Sequence, residues 1–344
     1  MNVSRSIALL SPAVGSGNIG DHFIELAIRR LLGEHIDYRR FTIRRPLAES
    51  EIEQINATSC ALLCGTNLYQ QNWESALTRG ALARIRVPVI PFGVGGSAAT
   101  LAEIEVGDET RQMIRALHER CRTSAARDPH AAAVLGRAGV RNFTMTGCPV
   151  LFWARTPQLP LPEAVARRRI VVTARNWLMH RWPDAVDHPV QVALLRRILT
   201  HFADRDIVFA VHEEFDRNLV ERLNIPREIV LDTDDPSDYL ELYSDPRNVV
   251  FAMRLHAGML SVANGVPAVF VGHDTRTYSF CRMLGMDYIE LFGEDCIDRS
   301  IAALEQCLEG GGTPPPEARE RFTALRTEMA HFLAANDLAP AQVV

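Results

Sequence analysis

Short apolar runs alternate with longer amphipathic runs along almost the whole chain, and this alternation limits the possible folds more than any other feature of the sequence. Ser6–Leu10 and Val249–Met253 have the length and apolar content of buried parallel strands. Asp21–Leu32 and Leu255–Asn264 have the apolar periodicity of helices. Such alternation predicts parallel sheets with helices on both faces. The other predicted strands are Tyr38–Ile43, Ser59–Leu63, Pro88–Phe92, Cys121–Ser124, Arg141–Met145, Ile170–Thr173, Ile207–Val211, Ile229–Leu231 and Ala268–Val271. The other predicted helices are Met113–Arg120, Pro129–Gly136, Val190–Phe202, Phe215–Leu223, Pro236–Tyr243 and Thr277–Leu284.

A proline-rich segment interrupts this alternation near the middle of the chain. Pro157, Pro160 and Pro162 fall within a few residues of one another, which is typical of an extended linker. A chain of 344 residues is long enough for two domains. We therefore predict two Rossmann-like, doubly wound α/β domains facing a cleft. Their boundaries are residues 1–153 for the first domain, 154–164 for the linker, 165–312 for the second domain and 313–344 for a C-terminal helix that could pack back on the first domain.

The charge balance argues against two broad classes of function. The formal net charge is -5 and the pI is about 6.1, whereas proteins that bind nucleic acids or membrane surfaces usually carry a basic excess. The apolar run Ile7–Leu10 is too short for a signal-peptide core, and no stretch approaches the roughly 20 apolar residues of a membrane helix. We expect a cytoplasmic protein that binds no nucleic acid and has no membrane span.

The seven cysteines are odd in number and widely spread, which is not the pattern of a disulfide framework. The closest pair, Cys60 and Cys64, has no second pair or nearby histidine that would complete a zinc site. We interpret all seven as reduced thiols of the core, in a reducing compartment.

Glycine-containing loops follow three predicted strands of the first domain. They are Gly15–Asp21, Cys64–Gln70 and Gly93–Ser97. Ligands of open α/β sheets bind beyond the carboxyl ends of the strands, so these loops face the expected cleft. The first loop has neither the dinucleotide-binding glycine spacing nor a P-loop lysine, and a plain turn with Asp21 as helix N-cap remains an alternative to an anion site. The candidate ligand contacts of these loops are Gly17, Asn18, Gly65, Thr66 and Asn67.

Polar residues also follow strands of the second domain. Arg175 comes just after Ile170–Thr173, and a single arginine there is either solvated or a ligand contact. His212, with Glu213 and Asp216, follows Val211 and either forms a polar cleft edge or caps the next helix.

Arg254 and His256 stand where an apolar strand should run into an apolar helix. A cation in such a place needs a partner or a ligand. If this stretch is extended, alternation points both side chains the same way. An arginine paired with a core carboxylate, beside a histidine satisfied by backbone, is the alternative to a binding site.

Motifs in both halves together resemble the polysaccharide pyruvyl transferase family, from about residue 7 to about residue 290. The segments that carry the resemblance are Gly17-Asn18-Ile19-Gly20-Asp21, Ala125-Ala126-Arg127-Asp128, Thr146-Gly147-Cys148-Pro149, Arg254-Leu255-His256-Ala257 and Ala263-Asn264-Gly265-Val266-Pro267. The resemblance implies a fold similar to that of GT-B glycosyltransferases. It also implies transfer of pyruvate from phosphoenolpyruvate to a sugar of a polysaccharide or of its lipid-linked precursor, as a pyruvate ketal.

The residue types suit the implied chemistry. By the resemblance, Arg254, His256 and Arg175 hold phosphoenolpyruvate, whose carboxylate and phosphate two arginines can clamp. His256 is a candidate to deliver or remove a proton, and Asp21 a candidate to orient or deprotonate the sugar hydroxyl. The first domain, with its departures from the family pattern at Gly65–Asn67, is the expected acceptor side.

No metal and no cofactor is expected, because histidines and carboxylates do not cluster in the sequence as ligands of a metal. A homo-oligomer and peripheral contact with a lipid-linked acceptor are both compatible with the sequence. Two other functions stay open: a sugar-nucleotide glycosyltransferase on the same fold, and a non-catalytic protein that binds anions or glycans.

Overall fold

Six strands from the first half of the chain form one parallel sheet. The structure is a computed structural model, and it describes residues 5–73, 75–98, 106–156, 158–161, 165–175, 189–312 and 314–338. These strands are β1 (Ser6–Ser11), β2 (Asp37–Thr42), β3 (Cys60–Cys64), β4 (Val89–Val94), β5 (Ser124–Ala126) and β6 (Phe143–Met145). The helices between them are α1 (Ile19–Leu32), α2 (Glu49–Asn56), α3 (Arg79–Arg84), α4 (Asp108–His118) and α5 (Pro129–Arg137). The strand order is β2-β1-β3-β4-β5-β6.

Six strands from the second half form another parallel sheet. They are β7 (Arg169–Thr173), β8 (Asp206–Ala210), β9 (Val230–Leu231), β10 (Asn248–Ala252), β11 (Ala268–Gly272) and β12 (Ile289–Glu290). The helices that follow or flank them are α6 (Pro189–His201), α7 (Glu214–Arg222), α8 (Pro236–Leu242), α9 (Leu255–Ala263), α10 (Thr275–Leu284), α11 (Cys296–Leu308) and α12 (Pro316–Ala335). The order β12-β11-β10-β7-β8-β9 is that of a Rossmann sheet.

Each sheet has a point where its strand order reverses, and this is where a doubly wound sheet opens a crevice for ligands. In the first sheet the point lies between β1 and β3, and in the second it lies between β7 and β10. The segments that leave these four strands therefore form the part of the molecule best placed to bind a ligand.

The predicted helices and strands differ from the structure in several places. The strand predicted at Cys121–Ser124 is β5 and starts at Ser124, because the small residues of Ser124–Ala126 lack the β-branched side chains by which strands are recognised. The helices α2, α3 and α11 and the two-residue strand β12 were not predicted. Arg254 is extended, but Leu255 and His256 are not, since α9 begins at Leu255.

One hydrophobic cluster connects the two sheets. It runs from α1, with Phe23, through the short 3-10 helix Pro149–Phe152 to α9. It also includes Tyr239 of α8 and Tyr243 at the C-terminal end of that helix. Separate clusters fill the other face of each sheet. This shared core fixes the orientation of the carboxyl edges of the two sheets relative to each other.

The C-terminal segment returns to the first sheet. Helix α12 contacts β5 and β6, and also α10 beside the second sheet. Phe332 of α12 packs edge-on against Phe92 of β4, with 4.9 Å between ring centroids. Residues 313 and 339–344 of the predicted C-terminal segment lie outside the described residues.

The predicted linker contains no helix or strand in residues 154–156 and 158–161, while residues 157 and 162–164 lie outside the described part. No helix within the described residues is long and apolar enough to cross a bilayer. All seven cysteines are free thiols, and each of them except Cys121 is buried.

Candidate functional site

A cavity of about 650 Å³ lies between the carboxyl edges of the two sheets, at the two points of strand reversal. Nine of the ten residues predicted from the sequence line it together. From the first domain these are Gly17, Asn18, Asp21, Thr66 and Asn67, and from the second domain Arg175, His212, Arg254 and His256. The roles assigned to these residues stay predictions, but the structure brings them to one place.

Gly65, the tenth predicted residue, does not line the cavity. A Cβ atom at this position would lie 2.7 Å from the carbonyl oxygen of Gly93. Gly65 is therefore needed where the segment after β3 passes close to the end of β4. Packing of backbone, rather than approach of a ligand, accounts for this glycine.

The start of α1 forms the wall of the cavity on the side of the first sheet. Its N-cap is Asn18, whose Oδ1 accepts a hydrogen bond from the backbone N–H of Gly20 at 2.9 Å. The prediction of Asp21 as the N-cap is wrong, because the helix starts two residues earlier, at Ile19. Asparagine at an N-cap satisfies a backbone donor that the helix itself leaves without a partner.

The Asp21 carboxylate is bound by side chains instead. Its Oδ2 accepts hydrogen bonds from Ser16 Oγ at 2.7 Å and from Arg44 Nη2 at 2.6 Å. Burial raises the pKa of Asp21, and these contacts with Ser16 and Arg44 oppose that rise. Both contacts involve Oδ2, and within the described part of the chain Oδ1 is left for a ligand in the cavity.

Replacing Asn18 with alanine tests the assignment of the cap. We expect the free energy of unfolding to fall by about 1 kcal/mol, the usual effect of losing an N-cap side chain. Asn18→Asp keeps an acceptor at the same position and should change stability by less. Urea unfolding of the two variants measures the difference. Equal stability of Asn18→Ala and the wild type would contradict the assignment.

Arg254 is a buried cation with two carboxylate partners. Its Nη2 contacts Glu213 Oε1 at 2.6 Å and also Asp216 Oδ1, and its Nε donates to the carbonyl oxygen of Ala174 at 3.1 Å. Burial disfavours the charged guanidinium, but Asp216 and Glu213 outweigh burial and raise the pKa of Arg254. Arg254 is therefore paired with core carboxylates, which the sequence left open as the alternative to a binding site. It also lines the cavity. Nε and Nη2 are engaged within the described residues, and Nη1 remains for a ligand.

Alternation along a strand would point the side chains of Arg254 and His256 the same way, but this stretch does not continue as a strand. Arg254 is the N-cap residue of α9 and His256 lies in the first turn of that helix. Both side chains still line the cavity, because the first turn of α9 faces it.

Arg175 and Arg276 share one carboxylate. Arg175 Nη1 lies 2.9 Å from Asp274 Oδ2, and Arg276 Nε lies 2.8 Å from the same oxygen. Burial lowers the pKa of Arg175 to about 10, opposed by Asp274, so the group is still a cation at neutral pH. Arg276 was missed from the sequence. Its position in the first turn of the helix that follows β11 is the feature that could have identified it.

His256 reaches across the cavity to the first domain. A Cβ atom placed on Gly20 would lie 2.7 Å from His256 Nδ1, so the ring rests directly on the start of α1. Burial lowers the pKa of His256 to about 3, and the charges of Arg127 and Arg254 add to this effect. The imidazole is therefore neutral at physiological pH. Its Nε2 is buried and has no hydrogen-bond partner among the described residues.

Arg127 is a second arginine of the cavity that sequence reasoning missed. Its Nη1 donates to Asn67 Oδ1 at 2.7 Å, its Nη2 to the carbonyl oxygen of Gly96 at 2.7 Å and its Nε to Asp128 Oδ2 at 2.9 Å. Arg127 directly follows β5. Because that strand was predicted three residues too early, Arg127 was not recognised as a residue at the edge of the sheet.

His212 belongs to the interface between the two sheets as well as to the wall of the cavity. Its Nε2 lies 2.5 Å from the hydroxyl oxygen of Tyr243, and its backbone oxygen accepts the N–H of Ile19 at 2.9 Å. Phe23 meets the His212 ring edge-on, with 6.0 Å between centroids. Burial, followed by the charge of Arg254, holds the pKa of His212 well below its usual value.

The cavity therefore combines charged arginines, a neutral histidine and a carboxylate beside a helix start. Such a set can bind an anion with a carboxylate or phosphate group and can move a proton near it. Within the described ranges, no three His, Cys, Asp or Glu side chains come close enough to hold a metal ion.

A sequence model of one protein family, described as polysaccharide pyruvyl transferase, matches residues 18–275. No curated protein matches the chain in sequence.

Solved structures with similar folds include the following three. MnaA of S. aureus in a co-structure with UDP is similar with a TM-score of 0.60 and 10% identity, over 99% of this chain and 100% of that one. UDP-GlcNAc 2-epimerase from Neisseria meningitidis, bound to UDP-GlcNAc, has a TM-score of 0.52 and 10% identity, over 96% and 100%. UDP-N-acetylglucosamine 2-epimerase from Rickettsia bellii has a TM-score of 0.51 and 10% identity, over 97% and 97%. These similarities confirm the predicted fold of two doubly wound units, similar to that of GT-B enzymes.

Proposed function

Because this chain belongs to the polysaccharide pyruvyl transferase family, we propose that it transfers the pyruvyl group of phosphoenolpyruvate to a sugar of a polysaccharide or of its lipid-linked precursor. The observation that carries this proposal is the position of two charged guanidinium groups. Arg175 and Arg254 follow β7 and β10, the strands on either side of the reversal point in the second sheet, and both line the cavity.

Phosphoenolpyruvate presents a carboxylate and a phosphate on adjacent atoms of one small molecule. Guanidinium groups bind both kinds of anion through paired hydrogen bonds. Arg175 stays charged although it is buried, and Arg254 is held charged by Asp216 and Glu213. Two arginines from neighbouring strands are therefore suited to bind the two anionic groups at once.

The reaction requires two sugar hydroxyls to bond to the central carbon of phosphoenolpyruvate. The methylene carbon gains a proton and becomes a methyl group, both hydroxyls lose their protons, and the bond from the central carbon to the phosphate oxygen breaks. The phosphate leaves with one of the released protons, so atoms and charges balance. Arg175 and Arg254 are positioned to stabilise the departing phosphate.

His256 is the candidate base of this reaction. A neutral imidazole can accept the proton of an attacking hydroxyl, and burial keeps His256 neutral in the free protein. Its Nδ1 lies against the start of α1, where the acceptor side of the cavity begins. Proton removal from the hydroxyl suits this residue better than proton delivery does.

The first domain supplies groups suited to a sugar. Asn18, Thr66 and Asn67 line the cavity with side chains that can hydrogen-bond hydroxyls. The Oδ1 atom of Asp21 is suited to orient the attacking hydroxyl. We therefore propose the acceptor on this side and the donor on the side of Arg175 and Arg254.

The test is release of inorganic phosphate from phosphoenolpyruvate over a panel of glycans and lipid-linked sugars. We expect release that depends on one class of glycan, and a decrease of about 10²- to 10⁴-fold in kcat for His256→Gln, the usual effect of losing a general base. His331→Gln, on the exposed surface of α12, is the matched control and should react like the wild type.

Thermal shift with phosphoenolpyruvate and with UDP-sugars separates this activity from the two alternatives. Stabilisation by UDP-sugars alone would overturn the proposal in favour of a sugar-nucleotide glycosyltransferase. Binding of phosphoenolpyruvate without turnover on any glycan would favour a non-catalytic anion- or glycan-binding protein.

A further inference from the structure

Asp274 joins two arginines of the cavity that come from different elements. Its Oδ2 accepts hydrogen bonds from Arg175, after β7, and from Nε and Nη2 of Arg276, in α10. Only 3% of the Asp274 side chain is exposed, so the carboxylate interacts with these cations and not with solvent. We propose that Asp274 is a positioning residue that holds Arg175 and Arg276 as one oriented pair, and that Arg276 is a further contact for the anionic donor. This inference rests on the proposed function.

The other oxygen of Asp274 caps α10. Oδ1 accepts the backbone N–H groups of Arg276 at 3.1 Å and Thr277 at 3.3 Å. The donors at the start of this helix are thereby occupied by the protein. An anion in the cavity consequently meets the guanidinium groups of Arg175 and Arg276, which both line it, rather than the helix N–H groups.

The segment that carries Asp274 is also bound to the first domain. Thr275 Oγ1 accepts the backbone N–H of Ala98 at 3.1 Å, and the N–H of Thr275 donates to the carbonyl oxygen of Ala98 at 3.4 Å. These two hydrogen bonds fix the start of α10 against the loop after β4. The pair Arg175 and Arg276 is thus oriented relative to the acceptor side as well.

The orientation of Arg175 and Arg276 should affect the affinity for some anionic ligands more than for others. Inorganic phosphate is attracted by any nearby cation, whatever the direction of its N–H groups. A molecule with a carboxylate and a phosphate on adjacent atoms has to engage both groups at once, so its affinity depends on the directions of the two guanidinium planes. Loss of Asp274 should therefore lower the preference of the site for phosphoenolpyruvate over phosphate.

The variant Asp274→Asn tests this, because the amide oxygen can still cap α10 while its NH₂ group cannot accept from the arginines. Calorimetry with phosphoenolpyruvate and with inorganic phosphate measures both affinities. We expect the affinity for phosphoenolpyruvate to fall at least about tenfold, as for one lost hydrogen bond between charged groups, and that for phosphate to change much less. Asp235→Asn, at the exposed N-cap of α8, is the matched control and should bind like the wild type.

Unchanged affinity of Asp274→Asn for phosphoenolpyruvate would overturn the inference and leave the proposed function intact. An equal loss of affinity for both ligands would also overturn it, because orientation would then play no part. If Asp274→Asn does not fold, Arg276→Gln decides, since wild-type affinity for phosphoenolpyruvate in that variant would exclude Arg276 as a donor contact. A wild-type protein that binds UDP-sugars but not phosphoenolpyruvate would instead overturn the proposed function itself.

Discussion

Replacing Arg254 with methionine is expected to lower the free energy of unfolding by about 3–5 kcal/mol, the range measured when one partner of a buried ion pair is removed. The Asp216 side chain is fully buried, with 0% exposure, and Arg254 is its cationic partner. Without the guanidinium, the carboxylate is left charged in a medium that solvates it poorly, or has to take up a proton. Chemical denaturation at neutral pH measures the loss.

The stability lost in Arg254→Met should depend on pH. Burial already raises the pKa of Asp216, opposed chiefly by the charge of Arg254, so removal of Arg254 raises this pKa further. An acid whose folded pKa lies above its unfolded pKa loses stability as the pH rises through the folded value. The deficit relative to the wild type is therefore largest at neutral and alkaline pH, and it shrinks as Asp216 becomes protonated on acidification.

Two comparisons test whether the buried charge of Asp216 is the cause of the lost stability. Arg217, next to Asp216 in α7, forms a bidentate pair with Asp232 at 2.8 and 2.9 Å but is about half exposed, so Arg217→Met should cost at most about 1 kcal/mol. The double variant Arg254→Met/Asp216→Asn should recover part of the lost stability, because no charge is then buried at Asp216. A similar loss in Arg254→Met and Arg217→Met would contradict burial as the cause.

Replacing Gly20 with alanine should decrease turnover by about 100-fold or more, the scale of loss that follows from misplacing a catalytic group by about 1 Å. The new Cβ atom would lie 2.7 Å from His256 Nδ1, a separation that Cβ atoms essentially never show, so the imidazole has to move. The fold should persist, because alanine is favoured over glycine within a helix by up to about 1 kcal/mol. Phosphate release and thermal unfolding of the same preparation separate the two effects.

Gly136→Ala is the matched control for this variant. Gly136 is also a helix glycine, in α5, and an added Cβ atom there meets nothing within 4 Å. Its activity should equal that of the wild type. Full activity in Gly20→Ala would mean that the position of His256 does not matter for the reaction.

Much of the fold could be predicted from local sequence. Strands such as β1 and β10 are runs of apolar residues bounded by loops, and their burial on both faces follows from that composition. Since carboxyl ends of parallel strands lie at one edge, the pattern of strands and loops was enough to place Asn18, Thr66, Arg175 and Arg254 near a ligand site. Helices such as α2 escaped prediction because charged and polar residues outnumber its two isoleucines.

Local sequence patterns do not identify the residues with which the charged groups pair. Arg175 meets Asp274 across 99 positions of the chain, and Arg254 meets Asp216 across 38. Such pairs form only when several strands and helices take their places, and an error of three residues in β5 was enough to hide Arg127.

Residue order alone therefore determined the two parallel sheets, the loops that border the cleft and most of the residues that line it, because these follow from periodicity and from the rule that parallel strands end at one edge. Tertiary structure alone decided that Arg254 is paired with carboxylates, that Arg276 and Arg127 join the cavity, and that His256 is neutral against the start of α1. The physical reason is that charge state and orientation depend on burial and on neighbours distant in sequence, which no short segment specifies.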